Sequence, residues 1–368
     1  MRLLIAVDAP GPAEFIRPVI GLLKSNHRYS GASKRHEIKI VTVKDSPTKI
    51  LAKFRPTRCD SEKEAEKIYK KFRPDALIIA MSSLVLGPHV NLKFSELANK
   101  GKKTVIGFQD FWANHRWPTN RKILSVSKAI LVPDDLAENL ILQDGYKGKV
   151  LITGSPAFDK FREIYVPKER KRLRKKLGIP EDFFVILHAG TGTPQSWKED
   201  ETTFKFIANT IKELQKEAHR IAFISRPHPR DENPERYKKL APDLKMIETK
   251  SIPITEELVP VSDVVIGMYS TNLVHAAYLR IPAISILLPN GGMRRLKKIH
   301  LADFPPNAAG ATVGIYKASV PALKKELELI MIDPIHNAVI KKAQERFFPI
   351  LKETAAKKVL GSILSLIN

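Results

Sequence analysis

Two hydroxyl side chains stand where an anion could bind, just after a short apolar run. The run Val264–Met268 is too short and too rich in β-branched residues for a buried helix, which predicts a strand of a parallel sheet. Ser270 and Thr271 then fall at the start of the next helix, whose first N–H groups are unpaired and carry partial positive charge. The pattern indicates a phosphate site, and the alternative is that Ser270 only caps the helix.

A glycine and threonine loop follows the predicted strand Phe183–Ala189. Glycine lets backbone N–H groups approach an anion closely, and threonine adds a hydroxyl donor. The loop matches neither a Walker sequence nor the dinucleotide-binding glycine pattern, so a plain turn is the alternative. We predict that it contacts the same phosphate through Gly190, Thr191, Gly192 and Thr193.

A basic loop, Arg226-Pro227-His228-Pro229-Arg230, follows the predicted strand Ile221–Ser225. The prolines fix the backbone, while two guanidinium groups and an imidazole suit a diphosphate or the charge that develops as it leaves. A lone histidine is usually structural, but the flanking arginines favour a phosphate contact for His228. We therefore predict that Arg226 and His228 bind the same anion.

Candidate catalytic groups lie in the other half of the chain. The loop Gln109–Trp117 places aromatic rings beside Asp110 and His115, a combination that suits a sugar and a general base. Asp110 is the leading base and His115 its competitor. The alternative is that the tryptophans pack between domains. Glu14, in the first turn of the first predicted helix, is a third candidate, although a carboxylate is stabilised there without any ligand.

The composition limits the partners. A formal net charge of +23 implies an anionic partner, such as a phosphorylated substrate or an acidic membrane surface. Basic residues concentrate in Lys168–Lys176 and Met293–Lys298, and either run could face an anionic bilayer. Neither is interleaved with stacking aromatics, so nucleic acid is not expected. The alternative is a lysine-rich solvated surface of a heat-adapted organism.

Several classes of site and location are not expected. The single cysteine, Cys59, excludes an intramolecular disulfide and a thiolate-rich metal site. Metalloprotease, kinase, hydrolase-elbow and EF-hand motifs are absent, so we expect no metal and no cofactor. No apolar stretch has the length of a spanning helix, and Met1–Pro10 has the pattern of a first strand rather than a leader. We expect a cytoplasmic protein, with a peripheral position on the inner membrane face as a further possibility.

Short β-branched runs alternate with helical patterns along the whole chain, which predicts an α/β fold with parallel sheets covered by helices on both faces. The strands of the first half are expected at Leu3–Val7, Glu37–Val43, Ala76–Ala80, Thr104–Phe108, Ala129–Val132 and Val150–Thr153. Those of the second half are expected at Phe183–Ala189, Ile221–Ser225, Lys245–Glu248, Val264–Met268, Ala283–Leu287 and Thr312–Ile315. A helix that starts near Pro12 has an apolar face of Phe15, Ile16, Val19, Ile20 and Leu23, and Ser61 and Glu64 have the spacing of a capping box at the start of another helix. A dense charge run and the loss of apolar periodicity near residues 160–178 indicate a domain boundary. We predict two doubly wound, Rossmann-like domains, residues 1–165 and 166–347.

The segment Val261–Ile286 resembles the donor-binding strand and helix of GT-B glycosyltransferases, nucleotide-sugar 2-epimerases and glycerophosphotransferases. The His-Pro motif at His228 is similar to that of capsule sialyltransferases and glycerophosphotransferases. The resemblance implies a GT-B fold with two domains facing across a cleft, and a final segment, residues 348–368, that completes the first domain. Those families often hold the nucleotide ribose with a glutamate seven residues before the proline of the following strand. That position, counted back from Pro282, is His275 here.

The resemblance and the loops together predict a metal-independent glycosyltransferase that moves a sugar from a nucleotide sugar to a glycan or lipid-linked acceptor, as in cell-envelope synthesis. A nucleotide-sugar 2-epimerase and a CDP-glycerol-type glycerophosphotransferase are the alternative enzymes. A GT-B-shaped protein that binds an anionic polymer is the alternative without catalysis.

Overall fold

The computed structural model describes residues 1–29, 36–82, 89–191, 197–217, 219–228, 231, 233, 235–252, 254–289 and 291–367. The chain divides into two compact units, Met1–Asp159 with Leu351–Asn368, and Lys160–Ile350. No helix among the described residues is both long enough and apolar enough to cross a membrane.

The first unit contains a parallel sheet of seven strands. These are β1 (Arg2–Val7), β2 (Glu37–Thr42), β3 (Thr57–Arg58), β4 (Ala76–Met81), β5 (Thr104–Gln109), β6 (Ala129–Val132) and β7 (Lys149–Ile152). Their order across the sheet is β3-β2-β1-β4-β5-β6-β7. Apart from β3, whose two residues are too few for a periodic signal, each strand matches its predicted range to within one residue.

Between residues 1 and 159 the described helices that cover this sheet are α1 (Pro10–Tyr29), α2 (Asp45–Ile50), α3 (Glu62–Phe72), α4 (Val90–Lys100), α5 (Pro118–Val126) and α6 (Asp135–Gln143). α1 buries the predicted apolar face, which packs in the core of the unit. The Ser61 half of the predicted capping box at α3 forms, since Ser61 accepts from the Glu64 N–H, whereas the Glu64 side chain accepts from the N–H of Asp60, one residue before the cap. Local capping chemistry was therefore sufficient to place the start of this helix.

The second unit contains a parallel sheet of five strands: β8 (Phe184–Ala189), β9 (Ile221–Arg226), β10 (Val264–Gly267), β11 (Ala283–Ile286) and β12 (Val313–Ile315). Their order is β12-β11-β10-β8-β9. The strand expected at residues 245–248 is wrong, because that segment makes a single bridge, Phe223 to Met246, at the open edge of β9. Its Glu248 side chain pairs outward with Lys238.

The helices of the second unit are α7 (Val166–Leu177), α8 (Trp197–Lys216), α9 (Arg236–Leu240), α10 (Thr255–Leu258), α11 (Thr271–Tyr278), α12 (Gly292–Lys298), α13 (Pro305–Ala308), α14 (Val320–Ile332) and α15 (Pro334–Phe347). The last helix, α16 (Ala355–Ile367), packs in the core of the first unit. Asp159 fixes its start by accepting from the N–H groups of Ala355 and Ala356, both at 2.9 Å.

Each sheet reverses its winding direction at one place. In the first sheet the chain passes outward from β1 to β2 and β3, then returns to place β4 on the other side of β1. In the second sheet β9 and β10 lie on opposite sides of β8. Ligands of open α/β sheets bind at the carboxyl ends of strands at such reversal points. Candidate ligand sites therefore lie in the loops that follow β1, β4 and β5 in the first unit, and in the loops that follow β8, β9 and β10 in the second.

Candidate functional site

The carboxyl edge of the first sheet carries two aspartates. Asp8 follows β1, Ser82 follows β4 and Asp110 follows β5, so the three residues end three neighbouring strands. Burial raises the pKa of Asp8 to about 6, an effect reduced by a hydrogen bond with Ser82 and by the charge of Lys44. The Asp8 Oδ1 atom is buried and has no hydrogen-bond partner among the described residues.

The Asp110 carboxylate faces the start of α1. The Asn114 side chain donates to Asp110 Oδ1 at 2.8 Å, and a Cβ placed on Gly11 would lie 2.0 Å from Asp110 Oδ2. A side chain at residue 11 would therefore displace this carboxylate. Burial, together with the negative charge of Asp8, raises the pKa of Asp110 to about 7. A general base works best with a pKa close to the working pH, so this raised pKa keeps Asp110 a candidate for the base.

His115 is buried away from solvent, with 1% of its surface exposed. Its Nε2 atom lies 2.9 Å from Asp144 Oδ2, and its Nδ1 atom lies 3.3 Å from Gln109 Oε1. Burial lowers its pKa to about 4, although Asp144 acts in the opposite direction. Both ring nitrogens already face partners within the protein, so the geometry favours Asp110 over His115 as the base.

The remaining predicted groups of this edge are engaged within the protein. Glu14 forms an ion pair with Arg17 at 2.9 Å on the same helix. Trp112 is buried and donates through Nε1 to Asp134 at 2.6 Å. Asp134 also caps α6 by accepting from the Ala137 N–H. Trp112 therefore stabilises the loop and presents no open face for stacking on a sugar.

The loop after β8 begins at the reversal point of the second sheet. Gly190 donates its N–H to the Arg226 carbonyl at 2.9 Å, and a Cβ at this position would lie 2.4 Å from the Tyr237 hydroxyl oxygen. Thr191 is buried, and its N–H donates to Asp200 at 3.2 Å. The other predicted contacts of this loop, Gly192 and Thr193, lie outside the described residues.

The basic loop begins beside it, because β8 and β9 are paired along their length. Arg226 is partly buried, and its Nη1 atom donates to Thr249 Oγ1 at 2.8 Å. His228 is also partly buried, and its carbonyl accepts from the Asp231 N–H at 2.8 Å. The predicted phosphate ligands Arg226 and His228 thus end the strand next to the glycine loop, while Arg230 lies outside the described residues.

Ser270 caps α11, which is the alternative considered for it, by accepting from the Asn272 N–H at 3.3 Å. Its predicted phosphate contact stays a prediction. Thr271 is exposed in the first turn. A Cβ at Gly267 would lie 2.7 Å from the Ala189 carbonyl oxygen, so glycine is needed where β10 approaches β8. The helix N-terminus and the loop after β8 therefore start from adjacent strand ends.

His275 lies deeper along α11 than Ser270. It is buried, with its ring 4.8 Å from the Phe161 ring and its Nδ1 atom 3.9 Å from Glu256 Oε2. Burial lowers its pKa to about 4. A neutral imidazole among these neighbours packs the helix against the preceding elements, and its contact with a nucleoside remains a prediction.

A buried ionic network behind the two loops was not foreseen from the sequence. Arg236 donates to Asp200 at 2.8 Å and lies 3.0 Å from Asp231 Oδ2, while the Tyr237 hydroxyl donates to Asp200. Asp200 holds Thr191, and Asp231 is bonded to the carbonyl of His228. Arg236 therefore connects the loop after β8 to the loop after β9. No sequence signal links Asp200 to a partner 36 residues away.

Asp8 was also missed as a site residue, although a signal existed. Asp8 directly follows the first strand of a parallel sheet. Such a residue lies at a reversal point when later strands are added on both sides of that first strand. The sequence does not reveal the strand order, so the proximity of Asp8 to Asp110 could not be read from it.

One family model matches part of the chain. The family model of CDP-glycerol:poly(glycerophosphate) glycerophosphotransferase matches residues 131–287, a range that includes Arg226, His228 and Ser270. No curated protein shows significant sequence similarity to the chain.

Solved structures match the whole chain. The UDP-GlcNAc 2-epimerase of Neisseria meningitidis bound to UDP-GlcNAc has a TM-score of 0.67 and 15% identity, covering 99% of this chain and 100% of its own. MurG of Acinetobacter baumannii has a TM-score of 0.63 and 13% identity, covering 98% and 99%. A glycosyltransferase of Rickettsia africae has a TM-score of 0.61 and 14% identity, covering 100% and 97%.

Two Rossmann-like sheets with these structural neighbours define a GT-B protein, which confirms the predicted fold class. The chain therefore has the GT-B fold, and its segment 131–287 matches the glycerophosphotransferase family model.

Proposed function

We propose that the protein is a transferase that moves a sugar from a nucleotide sugar to an acceptor hydroxyl. The observation that carries this proposal is the basic edge of the second unit, since the family match to a transferase of nucleotide-activated groups includes its Arg226, His228 and Ser270. The structural neighbours include one protein named as a glycosyltransferase and a 2-epimerase bound to UDP-GlcNAc. A nucleotide diphosphate is therefore the proposed occupant of this edge.

Asp110 takes the proton of the acceptor hydroxyl in this proposal. The acceptor oxygen forms a bond to the anomeric carbon, the bond from that carbon to the diphosphate breaks, and the nucleoside diphosphate leaves with the bonding electrons. Arg226, His228 and the N-terminus of α11 stabilise the charge that develops on the diphosphate. Burial, and in second place the nearby negative charge of Asp8, raise the pKa of Asp110 and so keep its proton affinity high.

We also propose that the reaction needs no metal, because basic side chains and a helix terminus perform the neutralisation. The described residues include one cluster of possible metal ligands, formed by Glu217, His219 and Glu328. Glu217 and His219 directly precede β9, so the cluster lies at the opposite end of that strand from His228. Lys324 pairs with both of its carboxylates. Turnover should therefore persist in EDTA.

Transfer of glycerol phosphate from CDP-glycerol is the second candidate, favoured by the family match at residues 131–287. Here the acceptor oxygen would attack phosphorus, the phosphoanhydride bond would break and CMP would leave. The same base and the same basic edge would serve both reactions, so the released nucleotide distinguishes them.

The test begins with the purified chain and nucleotide binding. Isothermal titration against UDP, GDP, CDP and CMP identifies the nucleotide, and a donor panel without acceptor then reports hydrolysis. Release of a nucleoside diphosphate supports glycosyl transfer, release of CMP from CDP-glycerol supports the second candidate, and conversion of one nucleotide sugar into its epimer supports an epimerase. Tight polyanion binding without nucleotide affinity would contradict every enzymatic reading.

We further propose that the acceptor is a glycan or lipid-linked molecule of the cell envelope, used by a cytoplasmic protein at the inner membrane face. This extension rests on the net charge of +23, which favours anionic surfaces. Co-fractionation of the native protein with washed membranes at low salt, and its release by high salt, would support it; recovery in the soluble fraction at low salt would contradict it.

A further inference from the structure

The junction of α14 and α15 exposes a cluster of large apolar side chains. Ile332, Ile335 and Val339 are 74%, 75% and 65% exposed. Single exposed apolar residues are ordinary, but three within eight residues of a helical corner form a patch of the kind that marks an interaction surface. Pro334, at the first position of α15, adds to the same exposed corner.

The outward face of α15 is fixed by contacts on its other side. Ile340 packs in the core of the unit, and the buried Gln344 donates to the carbonyls of Ile281 and Ala311. These contacts prevent the helix from turning its exposed apolar residues inward. The cluster is therefore a permanent feature of the surface.

Basic residues continue the same stripe of the helix. Ile335, Val339, Lys342 and Arg346 are spaced by four, three and four residues, a spacing that places them on one helical face. With a rise of 1.5 Å per residue, Lys342 and Arg346 lie about 5 and 11 Å along the axis beyond Val339. Glu345 is exposed beside Arg346, while Lys341 adds another positive charge next to Lys342.

The basic run of α7, by contrast, is largely engaged within its own unit. Arg170 donates to the Ser262 carbonyl and pairs with Asp263, and Arg174 donates to backbone carbonyls and to Asp263. Other members of the run pair locally, namely Lys171 with Glu181, Arg172 with Glu169, and Lys176 with the Ser251 carbonyl. Much of the charge that the sequence offers to a membrane here stabilises the fold instead.

We propose that the α14–α15 corner, comprising Ile332, Pro334, Ile335 and Val339 with Lys342 and Arg346, inserts into the interface of an anionic lipid bilayer. Amphipathic helices enter such interfaces by about 5–10 Å. That depth places the apolar corner at the acyl boundary and the two basic side chains at the level of the headgroups. The net charge of +23 favours an anionic bilayer over a neutral surface.

The test is vesicle flotation of the full chain, which does not depend on the proposed enzymatic activity. We expect binding to phosphatidylglycerol vesicles and little binding to phosphatidylcholine vesicles. The triple variant I332S/I335S/V339S should bind the anionic vesicles about tenfold or more weakly, because it removes most of the inserted apolar surface. The variant K342Q/R346Q should lower both the affinity and its salt dependence.

Two control variants separate this surface from its competitors. L142S/I254S removes exposed apolar side chains elsewhere, at 49% and 48% exposure, and should bind like the parent. K168Q/K175Q tests the basic run and should have a smaller effect than the triple variant. Parent-like binding by the folded triple variant, or absence of vesicle binding by the parent, would overturn the proposal. Self-association of the parent that the triple variant abolishes, without vesicle binding, would assign the corner to a second copy of the chain.

Discussion

The carboxyl edges of the two sheets have the same topology and opposite chemistry. The first edge carries the partly buried Asp8 and Asp110, whose pKa values are raised to about 6 and about 7. The second edge carries Arg226, His228 and the N-terminus of α11. Both edges are reversal points of parallel sheets, so the fold fixes where a ligand can bind. The residues of the loops then decide the charge of each edge. One edge suits accepting a proton, and the other suits binding an anion.

The two edges also differ in how their charges are supported. Asp110 receives one amide hydrogen bond from Asn114 and otherwise faces Asp8 and Gly11. The loops of the second edge are joined by Arg236, which contacts both Asp200 and Asp231. Asp8 and Asp110 are two neighbouring carboxylates without a basic partner of comparable strength, so their pKa values stay raised. Arg236, in contrast, joins two carboxylates and so holds the two loops in fixed positions.

The largest effect is expected at the acidic edge. Turnover is measured with the nucleotide-activated donor for which the wild-type protein shows activity. Asp110→Asn should preserve the fold and nucleotide binding and reduce turnover by roughly 100-fold or more, since a positioned base contributes about 10²–10⁴. His115→Ala should be milder because its ring nitrogens already face Asp144 and Gln109. The reverse ranking would move the base to His115, and near-normal turnover in both variants would make the loop structural.

Breaking the network of the second edge should reduce stability strongly. Arg236→Met leaves Asp200 and Asp231 without their buried partner, and losing one member of a buried ion pair costs about 3–5 kcal/mol. The matched control is Arg172→Met, which removes an exposed pair with Glu169 and should cost at most about 1 kcal/mol. Urea denaturation measures both. Equal midpoints for the two variants would show that the network contributes no more than a surface pair.

The two units should differ in their response to pH, because raised carboxyl pKa values dominate the first unit and lowered imidazole pKa values dominate the second. The lowered pKa of His115 in the first unit and the raised pKa of Asp200 in the second act against these trends and reduce the difference. The folded state raises the pKa of Asp110 from 3.8 to about 7, so it binds more protons than the unfolded state and loses stability as pH rises from about 4 to 7. The upper limit is about 4 kcal/mol, and solvent contact makes the true value smaller. In the second unit, burial lowers the pKa of His188 to about 3 and of His275 to about 4, so stability is lost as pH falls below 6.5.

Amide hydrogen exchange, followed by peptide mass spectrometry across this pH range, measures the two units separately after correction for intrinsic exchange. Asp110→Asn should flatten the response of the first unit and leave that of the second unchanged. Asp8→Asn should also lower the pKa of Asp110, because it removes the neighbouring charge. Parallel pH responses in both units would refute the contrast between the edges.

The smallest effect concerns the anion contact. His228→Ala should weaken binding of the nucleoside diphosphate by about 1–3 kcal/mol, the cost of losing a hydrogen bond to a charged group. His219→Ala, at the opposite end of β9, is the matched control and should leave affinity unchanged. Titration calorimetry decides between them, and unchanged affinity in a folded His228→Ala protein would remove this residue from the site.

The positions of the strands, and of the loops that carry the candidate residues, could be predicted from the sequence. Eleven of the twelve strands lie where short β-branched runs predict them, and the caps at Ser61 and Ser270 form as their spacing indicates. These features depend on side-chain period and on hydrogen bonds between near neighbours, which a single sequence displays. The alternation of these elements predicted two doubly wound domains, and the resemblance of one segment implied the GT-B class.

Which of those side chains have a polar group available for a ligand could be seen only in the tertiary structure. It placed Asp8 near Asp110, occupied both nitrogens of His115, and buried Trp112 against Asp134. It also joined Asp200 to Arg236 across 36 residues and directed the arginines of α7 inward while leaving Ile335 exposed. The physical reason is that pKa, burial and ion pairing depend on neighbours brought together by strand order and helix packing, and local sequence spacing does not encode these contacts.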